Sequence, residues 1–201
     1  MGIIDIDCNQ KLEKQMNFII EVDKVKNIFR KTKLFDGNRF ENDAEHSWTI
    51  CIMALLLKEY SNFPVNIEKI VIMLLIHDIV EIDAGDKCLH DSTRNIAYDN
   101  EKKAAERIFG LLEAEQREYF MGLWEEFEKK ETNEAKFAAV FDRLEPLIQN
   151  YILGGHIYKE YNVTYNMEIE KHKHMEEGSK EIWEFVLKLL DKAVEKGYLM
   201  K

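Results

Sequence analysis

Apolar residues recur along this chain at intervals of three and four, which is the spacing of amphipathic helices. A first helix is predicted over about residues 12–30. The segment 31–39 contains Asp36-Gly37-Asn38 and is predicted to be a loop. Asn42 or Asp43 is then expected to cap a second helix that runs to about Tyr60.

The third predicted helix, about residues 67–82, is apolar on almost every side, which is typical of a helix buried at the centre of a domain. Residues 83–95 contain Gly85, follow no period and are interpreted as an active-site loop. The pattern therefore favours an all-α fold, a helical bundle in a single domain. Further amphipathic helices are predicted at about residues 99–112, 114–130, 133–153 and 179–196.

Composition agrees with a helical protein of moderate size. The chain has 201 residues with only two prolines and nine glycines, and its formal charge is −10. This negative charge argues against nucleic acid as a partner, because such binding depends on Lys and Arg neutralising phosphates. A small phosphorylated substrate stays compatible with it, since a bound dication inverts the local field.

Three features bear on the location of the protein. Cys8, Cys51 and Cys88 form no disulfide framework, which favours a reducing cytoplasm. The first ten residues, MGIIDIDCNQ, lack the basic region of a signal peptide. The longest apolar runs are shorter than the ~20 residues that span a bilayer. We expect a cytoplasmic protein with no membrane partner.

The most informative chemistry is a histidine beside an aspartate inside an apolar run, IVIMLLIHDIVE, which contains His77 and Asp78. An ionised carboxylate is costly to bury unless a positive charge compensates it. Neither lysine nor arginine occurs between Val71 and Asp86. A metal ion would provide the missing charge.

His46 and Asp142 lie in similarly apolar stretches and complete a set of two imidazoles and two carboxylates with His77 and Asp78. Such a set is sufficient to hold one divalent cation, with Mn²⁺, Co²⁺, Fe²⁺ and Zn²⁺ as candidates. His46 and Asp142 must approach from other helices, so the metal is expected to tie three helices together. The alternative is that each is an isolated polar residue of the core or surface.

In their order and with their flanking residues, ENDAEHSW, HDIVEIDAGD and FDRLEPLIQN, these motifs resemble the HD superfamily of metal-dependent phosphohydrolases. The likeness is strongest to small bacterial 5′-nucleotidases and their eukaryotic relatives, and it covers about residues 15–155. It implies one HD domain over residues 1–201, with a C-terminal helical extension from about residue 156 and a metal site between helices. It favours Mn²⁺ or Co²⁺. We also expect a homodimer.

The resemblance assigns roles to two more acidic residues. Glu81 follows His77 by four residues and lies on nearly the same helical face, so it is a candidate to orient or deprotonate the attacking water. Asp86, behind Gly85, is a candidate to protonate the leaving oxygen or to hydrogen-bond a metal-bound water. The alternatives are an exposed glutamate at a helix end and an ordinary turn aspartate.

Transfer of a phosphoryl group needs a cation besides the metal. Arg30, at the predicted end of the first helix, falls where the resembling nucleotidases carry an arginine that contacts phosphate. A favourable interaction with the helix dipole is the alternative. Lys31 stands where some members have an aromatic residue that screens the sugar, so discrimination between ribose and deoxyribose is expected to be weak.

These residues predict a phosphomonoesterase that acts on a small-molecule substrate, a nucleoside 5′-monophosphate. Hydrolysis of guanosine polyphosphates or cyclic nucleotides, di-iron oxygenation, and non-catalytic nucleotide binding are alternatives. A triphosphate cradle of the form GxxxxGK[ST] does not occur in the sequence, which favours monophosphates. Of the remaining histidines, His90, His172 and His174 are predicted to be solvated, and His156 has no assigned role.

Overall fold

The structure, a computed structural model, describes residues 9–86 and 97–201. It is built mainly from α-helices, and the predicted all-α class is confirmed. The α-helices are α1 (Gln10–Val22), α2 (Asp43–Leu56), α3 (Ile67–Ile76), α4 (Glu81–Ala84), α5 (Ala97–Phe109), α6 (Ala114–Lys129), α7 (Asn133–Ile152), α8 (His156–Glu160), α9 (Tyr165–His172), α10 (Met175–Gly178) and α11 (Lys180–Glu195). Strands β1 (Phe29–Lys33) and β2 (Phe40–Asn42) form a small antiparallel sheet.

Helix α7 lies at the centre of the molecule and contacts α2, α3, α6, α10 and α11. It is buried along most of its length, and its two phenylalanines, Phe137 and Phe141, are fully enclosed. The C-terminal helices share this core, because Met175, Trp183 and Leu190 belong to the same apolar cluster. Residues on α7 therefore lie between helices from the N-terminal and C-terminal parts of the chain.

The predicted first helix is wrong at its C-terminal end. Helix α1 stops at Val22, and a 3₁₀ turn over Asp23–Asn27 leads into β1. Arg30 therefore lies on a strand and not at a helix terminus. The reason is long-range pairing: β1 finds its partner in β2, with Phe29 opposite Asn42, and this backbone pairing overrides the local helical pattern.

The predicted loop 31–39 is correspondingly shorter, because its first residues belong to β1. The hairpin turn uses the expected Asp36-Gly37-Asn38 sequence. Asp36 Oδ1 accepts a hydrogen bond from the Asn38 backbone N–H at 2.9 Å, and Gly37 has a φ of +74°. This conformation suits glycine, which has no Cβ to clash with its own backbone.

Capping of the second helix by Asn42 is confirmed. Its side chain accepts from the Glu45 backbone N–H at 3.0 Å, while Glu45 accepts from the Asn42 N–H at 3.2 Å. This reciprocal capping box fixes the start of α2 one turn before His46.

The predicted third helix is not continuous. Helix α3 ends at Ile76, a 3₁₀ turn covers His77–Val80, and α4 follows. The Leu74 carbonyl, which a continuing α-helix would pair with residue 78, accepts a hydrogen bond from His77 Nδ1 at 2.8 Å. The tighter turn at the histidine and aspartate pair thus accompanies a side-chain bond to the helix backbone.

Over residues 9–86 and 97–201, the helices are too short or too polar to cross a membrane.

Candidate active site

The four predicted metal ligands converge in the structure. His46 comes from α2, His77 and Asp78 come from the 3₁₀ turn, and Asp142 comes from α7. Nitrogen or oxygen atoms of His46, His77 and Asp78 lie within 4.8 Å of one another. Asp142 Oδ1 is 3.3 Å from His46 Nε2 and 3.7 Å from His77 Nε2. All four side chains are buried.

Both imidazoles have the same orientation relative to this cluster. His46 Nδ1 donates to Glu145 Oε2 at 2.5 Å, and His77 Nδ1 donates to the Leu74 carbonyl at 2.8 Å. Each ring therefore turns Nε2 toward the carboxylates, which is the arrangement found in metal-binding histidines. His77 Nε2 is buried and lies 3.0 Å from Asp78 Oδ1.

The electric field of the cluster favours a positive charge. Burial lowers the pKa of His77, but the carboxylates of Asp78 and Asp142 outweigh this effect and raise it to about 10. Burial raises the pKa of Asp78, whereas His77 and Arg30 hold it down to about 2. Two imidazole nitrogens and two ionised carboxylates at these distances fit a divalent metal.

Arg30 reaches this cluster from β1. Its Nη1 is 2.9 Å from Asp78 Oδ2 and 3.5 Å from Asp43 Oδ1, and its side chain is only 12% exposed. Burial lowers the pKa of Arg30, but the charges of Asp78, Asp86 and Glu81 raise it overall. The guanidinium thus stays charged at the edge of this group of histidine and aspartate side chains.

Glu81 is the first residue of α4, and Asp86 follows Gly85, which has a φ of +73°. Carboxylate oxygens of Glu81, Asp78 and Asp43 lie within 4.8 Å of one another. Burial first, then the neighbouring carboxylates of Asp78 and Asp43, raise the pKa of Glu81 well above its usual range. Burial also raises the pKa of Asp86, which Arg30 opposes.

A cavity of about 140 Å³ opens in front of the cluster. His46 lies behind this cavity, since it is not part of the lining. The other predicted site residues all line it: Arg30, Lys31, His77, Asp78, Glu81, Asp86 and Asp142.

Three buried carboxylates at the site were not predicted from the sequence. Glu145 accepts a hydrogen bond from His46, and Asp43 and Glu41 lie next to Arg30. Burial and the Asp78 charge raise the pKa of Asp43 to about 7, and burial with the Glu145 charge raises that of Glu41 to about 7. Spacing offered a signal for two of them, because Asp43 precedes His46 by three residues and Glu145 follows Asp142 by three.

The prediction of a solvated face at His172 and His174 is wrong. His172 is only 4% exposed and lines the cavity, because α9 contributes to the cavity wall. His174 is half-buried, and burial, followed by the charges of Arg143 and Lys130, lowers its pKa to about 4. His156 lies near the cavity, with Nε2 3.4 Å from the Lys31 carbonyl.

Some predictions concern residues outside the described ranges. They include Cys8, Cys88, His90 and the part of the predicted active-site loop that follows Asp86. Cys51 is described and is buried, as expected for a small core residue.

Comparison with known proteins agrees with this geometry. The HD domain family matches residues 22–183. The chain is 29% identical over 151 residues to 5′-deoxynucleotidase HDDC2 of Danio rerio, which covers 74% of this chain and 72% of that protein. It is 27% identical to the Homo sapiens protein of the same name, over 67% of this chain and 65% of that protein.

A solved structure extends the likeness to nearly the whole chain. A predicted metal-dependent phosphohydrolase from Magnetospirillum magnetotacticum superposes with a TM-score of 0.92 at 45% identity, covering 96% of this chain and 97% of the other. With a buried His and Asp cluster in a helical frame and a family match over residues 22–183, the chain belongs to the HD domain family of metal-dependent phosphohydrolases.

Proposed function

We propose that this protein hydrolyses nucleoside 5′-monophosphates, with ribose or deoxyribose, to the nucleoside and inorganic phosphate. One observation carries the proposal: His46, His77, Asp78 and Asp142 meet at the base of a cavity beside the buried cation of Arg30. The names of the Danio rerio and Homo sapiens relatives, both 5′-deoxynucleotidases, support the choice of a 5′-nucleotide.

The position of each residue in the site determines its proposed role. His46, His77, Asp78 and Asp142 would hold one divalent metal, in our proposal Mn²⁺ or Co²⁺. When bound, the metal supplies Lewis acidity toward a phosphate oxygen and lowers the pKa of water. Arg30 points into the same space, where its guanidinium neutralises the substrate phosphate and keeps it in line for displacement.

Two acidic residues that line the cavity transfer protons in the proposed reaction. Glu81 lies within reach of Asp78 and takes the proton of the attacking water in this proposal. Asp86 lines the same cavity and is placed to donate a proton to the leaving 5′ oxygen. Lys31 borders the sugar without an aromatic screen, so ribose and deoxyribose are accepted alike.

Phosphate release from a panel of nucleotides tests the proposal. The metal-free protein is supplied in turn with Mn²⁺, Co²⁺, Fe²⁺, Mg²⁺ and Zn²⁺, and offered 5′-monophosphates, 3′-monophosphates, triphosphates, guanosine polyphosphates and cyclic nucleotides. We expect 5′-monophosphates to have the highest kcat/KM. Faster turnover of triphosphates, polyphosphates or cyclic nucleotides under the best metal would overturn the assignment.

The role of Glu81 has its own test. Glu81→Gln keeps the size of the side chain but removes the base, so we expect metal content to be retained and kcat to fall about 100-fold or more. Glu59→Gln, an exposed position in a 3₁₀ turn, is the matched control. A Glu81→Gln protein as fast as wild type would remove Glu81 from the mechanism.

A further inference from the structure

The cavity has two chemically different ends. At the metal end, two arginines flank the ligands, since Arg30 contacts Asp78 and Arg143 Nη2 is 3.4 Å from Asp142 Oδ2. Asn150, which also lines the cavity, lies eight residues beyond Asp142 on α7. Eight residues of helix correspond to about 12 Å along the axis. A ligand with its phosphate at the metal end can therefore extend along α7 toward Asn150.

The far end is formed by buried polar side chains from three helices. Asn150 on α7, Tyr158 on α8 and Glu168 on α9 are 3%, 3% and 1% exposed, yet all three border the cavity. Asn150 Oδ1 accepts from the Ile157 backbone N–H at 3.1 Å, which fixes the amide. His172 Nδ1 donates to the Glu168 backbone carbonyl at 2.9 Å and lies 3.6 Å from Glu168 Oε2.

The Tyr158 hydroxyl lies beside this carboxylate. Burial first, and then the charge of Glu168, raise the pKa of Tyr158, so the phenol stays protonated and remains a donor. The far end thus places a carboxylate beside a phenol hydroxyl. The metal end, by contrast, offers cations.

Apolar side chains line the cavity next to these polar groups. Leu147 and Ile157 are 3% and 5% exposed and border the cavity, and Pro146 lies beside Leu147. Apolar walls with a polar edge match a nucleobase, which has apolar faces and hydrogen-bonding groups only at its rim. A sugar, with hydroxyls on several sides, matches such walls less well.

We propose that Glu168 recognises the base of the substrate and gives the enzyme a preference for guanine; this inference rests on the proposed function. A carboxylate only accepts hydrogen bonds, and guanine presents two adjacent donors, N1–H and the 2-amino group, that fit its two oxygens. Adenine and cytosine place a ring acceptor beside their amino group, which repels a carboxylate. Thymine and uracil place carbonyls on both sides of their ring N–H.

The same carboxylate fixes the direction of the nucleotide. Negative charge at Glu168 repels the phosphate, whereas Arg30 and Arg143 attract it to the metal end. The nucleotide therefore enters with its phosphate toward Asp78 and its base toward α9.

The direct test compares GMP with IMP, which differ only by the 2-amino group. With the metal-loaded wild-type enzyme, we expect kcat/KM for GMP to exceed that for IMP by about 10- to 100-fold, the effect of one hydrogen bond to a charged acceptor. Deoxy-GMP and deoxy-IMP should give the same ratio. Equal rates for GMP and IMP would overturn the guanine assignment, whereas failure to hydrolyse any 5′-monophosphate would overturn the proposed function itself.

Substitution assigns the preference to the residue. Glu168→Gln replaces one acceptor oxygen by a donor of the same size, so we expect the GMP to IMP ratio to fall to within a few-fold of one. Glu170→Gln, exposed on the same helix, should keep the wild-type ratio. If Glu168→Gln folds but lowers kcat/KM for GMP and for IMP by the same factor, the carboxylate only anchors α9, and the proposal is wrong. If the variant does not fold, the ratio of kcat/KM for GMP to that for IMP in the wild-type enzyme decides whether the guanine preference exists.

Discussion

At the residue scale, His46 shows how the proposed metal ligands are held in place. Its ring is fully buried, with Nδ1 bonded to Glu145 and Nε2 directed at Asp142. The Glu145 carboxylate fixes the tautomer, because it requires the proton on Nδ1. Nε2 is then left with a lone pair that faces the site.

Glu145→Gln tests this positioning role. The amide can still accept one hydrogen bond but lacks the negative charge that makes the imidazole a better ligand. We expect the dissociation constant for Mn²⁺ or Co²⁺ to rise about 10- to 100-fold in calorimetric titration. Glu59→Gln serves as the control. Wild-type affinity in Glu145→Gln would show that Glu145 supports the fold and not the ligand.

His174 provides a pH-dependent test at a residue outside the proposed set of metal ligands. Its pKa is lowered to about 4 in the folded protein, against an ordinary value of about 6.5. Between these values the unfolded chain takes up a proton that the folded chain refuses, so the free energy of unfolding falls as the pH drops from about 6.5 to 4.

We expect His174→Gln to remove part of this loss. Urea unfolding at pH 7.5 and pH 5 should show a smaller decrease in the free energy of unfolding for the variant than for wild type. An equal decrease in both proteins would contradict the assigned pKa shift.

The acidic residues also show what sequence reasoning could reach at this scale. His77 and Asp78 were recognisable because charge inside an apolar run is costly. Glu145 and Glu168 lie in helical stretches with other charged residues nearby, and in sequence they look like surface positions. Only the packing of other helices against them makes them buried, and that packing is set by residues far away in the chain.

At the scale of elements, the segment between α1 and α2 departs most from the pattern. Its apolar spacing continued the first helix through Arg30, whereas the chain folds into a hairpin that delivers Arg30 and Lys31 to the cavity. Pairing with β2, about ten residues later, decides between the two states. The longer helices α6, α7 and α11 agree with the predicted bounds to within one residue at each end, because their amphipathic period and their end signals agree.

The capping box at Asn42 links this hairpin to the site. Asn42→Ala removes the side-chain acceptor for the Glu45 N–H, and we expect the free energy of unfolding to fall by about 0.5–2 kcal/mol. Chemical denaturation of Asn42→Ala beside Asn166→Ala, an exposed position inside α9, checks this. A loss of stability no larger than that of Asn166→Ala would show that the Asn42 cap does not stabilise α2.

At the scale of the whole molecule, the site joins parts of the chain that are distant in sequence. The proposed metal ligands from α2, from the turn after α3 and from α7 meet at one point. That an ion ties these helices together stays a prediction. The position of the C-terminal helices over the cavity was not predictable, since their sequence shows amphipathic faces but not which surface they cover. A homodimer and a cytoplasmic location remain predictions.

The most direct test of the account is the number of metal ions that each folded chain binds. Equilibrium dialysis of the metal-free protein against Co²⁺, with elemental analysis of protein and metal, measures it. We expect one tightly bound ion per wild-type chain, and loss of that ion in His77→Ala and Asp142→Ala, with the far-UV circular dichroism of a folded helical protein. A wild-type chain that binds no ion, or folded variants that keep one with unchanged affinity, would contradict the account.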